Sequence, residues 1–276
     1  MSSREKLVIT DRSCLFSVAL SLSHDRSCLF RDKGFFINAP DDYFFQGTNK
    51  EGVGYNENQF SLPREEQLVI TRATLYEGTF IMPPTAVWSF VPLVDYHAGG
   101  GAASFWPPSQ HIDEYELALA MHMSFGVAAC YRGPGLYDTP AVKDMVASWV
   151  GWFKEHRRIL TSDLIHIRRP DGQSIDGIIH VNAASSDEIA LAAFFNPTTQ
   201  RLNTTFMLPL YYAGVAPADT VNITHSEPAG ARLAAKPQNP ETASRGVLSD
   251  VNFRSRVPLE VVIPAGGYAM FSVRRA

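Results

Sequence analysis

Hydrophobic positions along the chain change their spacing twice. Before residue 34 no helical or strand period is sustained. From residue 35 to about residue 160, continuous apolar runs alternate with segments whose apolar residues recur at helical spacing. After Leu160 the helical spacing stops, and short apolar runs separated by turn residues take over.

In the middle region, YFFQGT at 43–48 reads as a short buried strand. Ser61-Leu62-Pro63-Arg64-Glu65 then opens a helix: Ser61 can cap it, proline suits the first turn, and the glutamates suit the positive end. Leu68, Val69, Arg72 and Leu75 carry this helix to about Tyr76. VWSFVPLV at 87–94 is apolar without alternation, the pattern of a strand covered on both faces in a parallel sheet. A helix is expected from about His111 to Ser124, and GVAACY at 126–131 is a third strand. Thr139-Pro140 starts a third helix, with Val142, Met145, Val146, Trp149 and Phe153 on one stripe. The order is three successive βα units, so a parallel α/β arrangement is expected. In such folds the loops after the strands carry the site. Those loops are 47–59, 95–108 and 131–138.

The remainder predicts strands at 164–172, 175–182, 188–197, 202–210, 220–225, 258–264 and 267–273, an antiparallel β-sandwich. The Pro-, Ala- and Gly-rich stretch 226–246 reads as a loop. The expected organisation is an irregular leader over 1–34, an α/β region over 35–160 and a sandwich over 161–276. Within the leader, DRSCLF occurs at 11–16 and again at 25–30. That period is too short and isolated for a solenoid repeat, and a local duplication, or a non-native leader upstream of the domain, is a simpler reading than a duplicated functional motif.

Composition narrows the function classes. Hydrophobic residues make up 45% and charged residues 19%, the balance of a globular protein with a real core. The net charge of -4, without a basic stripe, argues against nucleic acid. No apolar run approaches the roughly 18 residues that span a bilayer, so no membrane partner is expected. Cys14, Cys28 and Cys130 suggest neither a disulfide framework nor a metal site. Phosphate-loop, dinucleotide, G-x-S-x-G and H-E-x-x-H patterns are missing, and no cofactor or metal is expected. Two N-glycosylation triplets, at Asn203 and Asn222, allow secretion, but Asp11 and several serines make the N-terminus a poor signal peptide.

ALAAFFNPTTQRLNTTFMLPLYYAG and PLEVVIPAGGYAMFSV resemble the first strands and the closing hairpin of the C-terminal β-sandwich of α-galactosidase-like and α-amylase-like glycoside hydrolases. YFFQGTNKEGVGYNENQFSLPRE, FVPLVDYHAGGGAA, ACYRGPGLYD and WFKEHRRILTSDLIHIRRPDG resemble a narrower group of large barrel proteins of the same kind. The resemblance covers about 40–276. It implies that 35–160 forms the last three βα units of a TIM-type (β/α)8 barrel, followed by the sandwich, and a carbohydrate ligand. A closed barrel needs eight strands. The expectation is therefore a C-terminal fragment of a hydrolase, or a chain that completes its sheet through a partner. An open parallel edge would also favour self-association.

Glycoside hydrolysis uses two carboxyl groups roughly 5 to 10 Å apart. Asp95, at the end of the second strand, is the first candidate, and Glu57, within GYNENQ, is the second. Equally, Asp95 could hold Arg132 or His97, and Glu57 could be a solvated loop acid. His97 could bind a sugar hydroxyl or bond to backbone. Arg132 could pair with an acid in the same mouth, contact an anionic sugar or form a structural salt bridge. Asn49, Tyr55 and Asn58 carry hydrogen-bonding groups of the kind that grip sugars, and Tyr96, Trp106 and Tyr131 could stack on a sugar face or fill core. Gly99, Gly100 and Gly101 allow close backbone approach or a tight turn. His166 and His180 fall in predicted strands and read as structural, and Lys154 to Arg158 reads as a solvated helix end. Two further readings stand beside hydrolysis: a non-catalytic carbohydrate-binding or structural remnant, and a subunit that needs another chain.

Overall fold

The computed structural model describes residues 63–94, 100–236, 243–246, 248–249 and 255–276. The expected first strand, the Ser61 cap and the leader lie outside these residues.

Helix α1 spans Arg64–Ile81, with Pro63 just before it and Glu65 and Glu66 in its first turn. It runs past Tyr76, and the Thr79 hydroxyl bonds back to the Leu75 carbonyl at 2.7 Å within the extra turn. Strand β1 (Trp88–Pro92) and strand β2 (Ala128–Arg132) pair in parallel, from Trp88 opposite Ala128 to Pro92 opposite Arg132. Between them lie the single turn α2 (Gly100–Ala103) and helix α3 (Ile112–Phe125). Helix α4 (Pro140–Leu160) begins as its sequence predicts, with Thr139 Oγ1 accepting from the Val142 amide and proline in the first turn. Its buried stripe continues through Trp152 and His156. The 154–158 run is therefore solvated only in part.

The rest of the chain is antiparallel. Strands β3 (Asp163–Arg168), β4 (Asp176–Val181), β5 (Glu188–Phe195), β11 (Tyr268–Arg275), β7 (Thr220–His225) and β8 (Ala243–Gly246) form a six-stranded sheet in that order. Strands β6 (Leu202–Leu208), β10 (Ser255–Ile263) and β9 (Leu248–Ser249) form a second sheet. Strand β8 corrects the expectation of a loop throughout 226–246. Its four residues form the edge of the sheet by pairing with β7, Thr220 opposite Gly246. Edge pairing needs only backbone groups, so ASRG gives no apolar alternation to read.

The six-stranded sheet is covered on both faces. Ile178, Leu191, Ala193, Phe195, Tyr268 and Met270 join Leu75, Trp149, Trp152 and Leu160 in a core shared with the helices. Their neighbours Ile179, Ala192, Phe194, Ala269 and Phe271 pack with Phe206, Leu259 and Val261 of the second sheet. This double burial explains the unbroken apolar run EIALAAFF. Each fully buried large side chain contributes about 1.5–3 kcal/mol.

Polar groups cross the seam between helices and sheet in pairs. Arg72 of α1 meets Asp176 of β4 at 3.1 Å, both nearly enclosed. Burial pushes the Asp176 carboxyl up to about 7 against the pull of Arg72. His180 of β4 donates from Nε2 to the Ser124 carbonyl at 2.8 Å. His122 of α3 donates from Nδ1 to the Ala118 carbonyl at 2.7 Å and accepts from Ser89 of β1 at 2.7 Å. The structural roles expected for His166 and His180 match their partners, since His166 bonds to Thr79 at 3.0 Å and to the Tyr76 carbonyl at 3.1 Å.

Two outcomes follow from this packing. A methyl group on Gly177 would lie 2.4 Å from the Phe194 ring and 3.0 Å from the Ala193 carbonyl oxygen. Gly177→Ala should therefore lower the unfolding free energy by about 1–3 kcal/mol in urea titrations; an unchanged midpoint would refute this packing.

The second outcome concerns pH. Burial pushes both His122 and His180 from 6.5 down to about 4. Between these values the unfolded chain binds more protons, so the stability these imidazoles confer is complete above 6.5 and falls as pH drops towards 4. Asp176 has the opposite sign, because its raised carboxyl takes up a proton earlier in the folded chain than in the unfolded one. The net loss on acidification through this window should be about 2 kcal/mol. Urea unfolding at several pH values checks it, and stability that rises on acidification would contradict the assignment.

Candidate functional site

The carboxyl ends of β1 and β2 form one rim, drawn together by backbone contacts. The Leu93 amide donates to the Arg132 carbonyl at 2.5 Å, and the Phe105 amide donates to the Pro92 carbonyl at 2.8 Å. Gly133 presses on this junction: a Cβ there would sit 2.1 Å from the Leu93 carbonyl oxygen. Only glycine permits so close an approach.

Side chains tie the neighbouring loops to the rim. The Arg64 guanidinium donates to the carbonyls of Gly101 at 2.5 Å and Ser104 at 2.6 Å, which fastens the glycine segment to the start of α1. Asp138, in the loop after β2, accepts from the Ser109 amide at 3.1 Å and from its hydroxyl at 2.5 Å. Tyr115 donates to the Leu136 carbonyl at 3.1 Å. Segments 100–109 and 133–138 are therefore held as a pair at the end where the β1 chain leaves its strand.

Alternation along the strands decides where the described candidates point. Arg132 lies on the Phe90 face, with its guanidinium carbon 4.5 Å from the ring centroid. Phe90 packs there with Ala103, Trp88 and Cys130. Tyr131 lies on the opposite face, half-buried against the core shared with the helices. Burial pushes its hydroxyl up to about 12. Trp106 packs on that same core, and its amide donates to the Ser104 hydroxyl oxygen at 2.9 Å. The structure thus separates Arg132 from Tyr131 although they are adjacent in sequence. Asn49, Tyr55, Glu57, Asn58, Asp95, Tyr96 and His97 lie outside the described residues.

Burial lowers His111, and the nearby Arg64 charge adds to that shift. Arg132 supplies a second cation. Among the described residues no group of three His, Cys, Asp or Glu side chains could hold a metal ion, and no helix is long and apolar enough to cross a membrane.

Sequence reasoning missed two features. The Arg64 latch joins residues 37 and 40 positions apart, and nothing local announces it. His156 sits in a charged run yet is enclosed and bonded to Glu188 at 2.9 Å. Its signal was its place on the apolar stripe of α4, seven residues after Trp149.

No protein-family model matches the chain, and no curated protein matches it. Solved glycoside hydrolases do match in structure. A variant GH36 alpha-galactosidase from Geobacillus stearothermophilus in complex with stachyose is 17% identical, with a TM-score of 0.48, over 76% of this chain and 24% of that one. A putative alpha-N-acetylgalactosaminidase from Bacillus halodurans is 10% identical, with a TM-score of 0.43, over 77% of this chain and 43% of that one. A debranching enzyme from Nostoc punctiforme is 12% identical, with a TM-score of 0.42, over 86% of this chain and 50% of that one. The chain therefore spans between 24% and 50% of the length of these three structures.

Proposed function

We propose that this chain is a carbohydrate-active protein of the glycoside hydrolase kind, with its sugar site at the carboxyl-end rim of β1 and β2. The observation that carries this reading is the rim itself. Two parallel strands end together, their following loops are latched by Arg64 and Asp138, and the acid- and imidazole-bearing sequence Asp95-Tyr96-His97 begins just beyond Val94. Parallel α/β folds place their ligands at this end. The resemblance of 40–276 to barrel hydrolases with a C-terminal sandwich supports the same reading. On it, 35–160 supplies barrel units and 161–276 the sandwich.

The chemistry divides among residues by type. Asp95 and Glu57 are the carboxyl pair, one to protonate the leaving oxygen and one to attack or to activate water. Arg132 faces the Phe90 side and supplies a cation that keeps a neighbouring carboxylate ionised. His97, Asn49, Tyr55 and Asn58 hydrogen-bond the sugar hydroxyls. Tyr96, Trp106 and Tyr131 offer aromatic surface. No cofactor is needed for this reaction.

The test is thermal unfolding of the full chain with raffinose and stachyose, sugars present in similar alpha-galactosidase structures, followed by hydrolysis assays on whichever sugar binds. A ligand at a hundredfold its Kd should stabilise the fold by about 2.7 kcal/mol. Asp95→Asn should keep that stabilisation and lose at least about a hundredfold in hydrolysis. Stabilisation with no turnover in either protein would favour the non-catalytic binding alternative. No response to either sugar or to other oligosaccharides would overturn the proposal.

A further inference from the structure

A second constellation lies away from the rim, between α4 and the six-stranded sheet. His156 is enclosed, at 6% exposure. Its Nδ1 donates to the two carboxylate oxygens of Glu188 at 3.0 and 2.9 Å. That bond leaves Nε2 as an acceptor, and the Ser226 hydroxyl donates to it across 3.0 Å. The Ser272 hydroxyl donates to the same carboxylate at 2.5 Å, which fixes its orientation. Ser226 is held by its own backbone: its amide donates to the Met270 carbonyl at 3.0 Å, and its carbonyl accepts from the Trp152 indole.

Hydroxyl, imidazole and carboxylate thus stand in hydrogen-bonded sequence, on residues from three different elements. That is the arrangement that activates a serine for acyl transfer, and it is recognised by geometry and role instead of by sequence position. Ser226 lies in His225-Ser226-Glu227, without the glycine elbow of other serine hydrolases, so no motif marks it. The serine and the imidazole line an open cleft of about 350 Å³, together with Ser148 and Arg274. Arg274 pairs with Asp187 through Nη1 at 2.8 Å and lines the cleft together with Glu155 and Glu227.

We propose that Ser226, His156 and Glu188 form an acyl-transfer site that takes short-chain acyl esters. Ser226 Oγ attacks the ester carbonyl carbon while its proton passes to His156 Nε2. The ester C–O bond then breaks, and the departing alkoxide takes that proton and leaves as the alcohol. Water, deprotonated by His156, adds to the acyl carbon and releases the carboxylic acid, and Oγ recovers the proton. Ser226 and His156 are the catalytic residues, and Glu188 is a positioning residue that sets the imidazole tautomer. This site is independent of the sugar site at the rim.

The experiment treats the full chain with diisopropyl fluorophosphate, maps the adduct by peptide mass spectrometry, and follows hydrolysis of p-nitrophenyl acetate. The expected result is one adduct, on Ser226. Ester hydrolysis should be lost in Ser226→Ala and kept in Ser174→Ala, which alters a serine on the turn between β3 and β4, outside the cleft. His156→Gln should slow labelling at least tenfold. Glu188→Gln should change the pH dependence of the labelling rate, which a packing defect alone would not do. Mapping on the unsubstituted chain decides the matter even if a variant fails to fold. A folded protein with no adduct on Ser226, or ester hydrolysis that survives Ser226→Ala, would overturn the proposal.

Discussion

A sheet that is dry on both faces obliges every polar group entering it to bring a partner, because an unpaired one costs roughly 1–3 kcal/mol. Strands β4, β5 and β11 are in that position, with helices on one side and the second sheet on the other. The helix side of this sheet is therefore a seam of pairs: Arg72 with Asp176, His180 with the Ser124 carbonyl, Tyr268 with Glu116. Glu116 also accepts the Arg232 amide at 2.8 Å, which draws the Pro-rich loop after β7 onto α3. These contacts register α1 and α3 on the sheet more sharply than apolar packing does, since a polar pair is lost within an ångström while a methyl group can slide.

The parallel pair depends on that registration. Strand β1 is tied to α3 through Ser89 and His122, and α3 is tied to the sheet through Ser124 and His180. Gly126, in the left-handed region at φ 68°, turns the chain from α3 towards β2. A Cβ there would lie 2.0 Å from the Leu160 carbonyl oxygen, so the end of α3 rests directly on the end of α4. The seam and these two helix ends thus set where β1 and β2 finish. The core is continuous from the helices into the sheet, so the change near residue 160 is a change of secondary structure and not a gap in packing.

How much of this was legible in the sequence follows from the range of each signal. Helix α4 was readable because its cap, its proline and its apolar stripe are all local. Strand β5 was readable as an unbroken apolar run, and its double burial is why it is unbroken. Strand β8 was hidden, because backbone pairing at an edge leaves no side-chain pattern. At the rim, the strand ends were legible, and alternation alone sets Tyr131 and Arg132 on opposite faces, but which of those faces meets the helix core depends on distant packing. The Arg64 latch and the Ser226–His156–Glu188 chain each join distant segments, 70 positions apart in the case of Ser226 and His156. Periodicity carries no information at that separation.

Water access separates the seam into two kinds of contact. Arg72 and Asp176 are sealed, with side-chain exposures of 3% and 2%. A charge pair so enclosed cannot exchange partners with a ligand, and its role ends at registration. His156 and Glu188 belong to the same seam and also carry buried polar groups, but their pair ends on a serine that borders an open cleft. There the rigidity that satisfies the fold also holds an imidazole acceptor against a hydroxyl at fixed distance, the preorganisation that acyl transfer requires. Structural necessity and chemical competence are therefore not rival accounts of this network. The sheet demands that His156 be paired, and the cleft determines whether the pairing reaches a substrate.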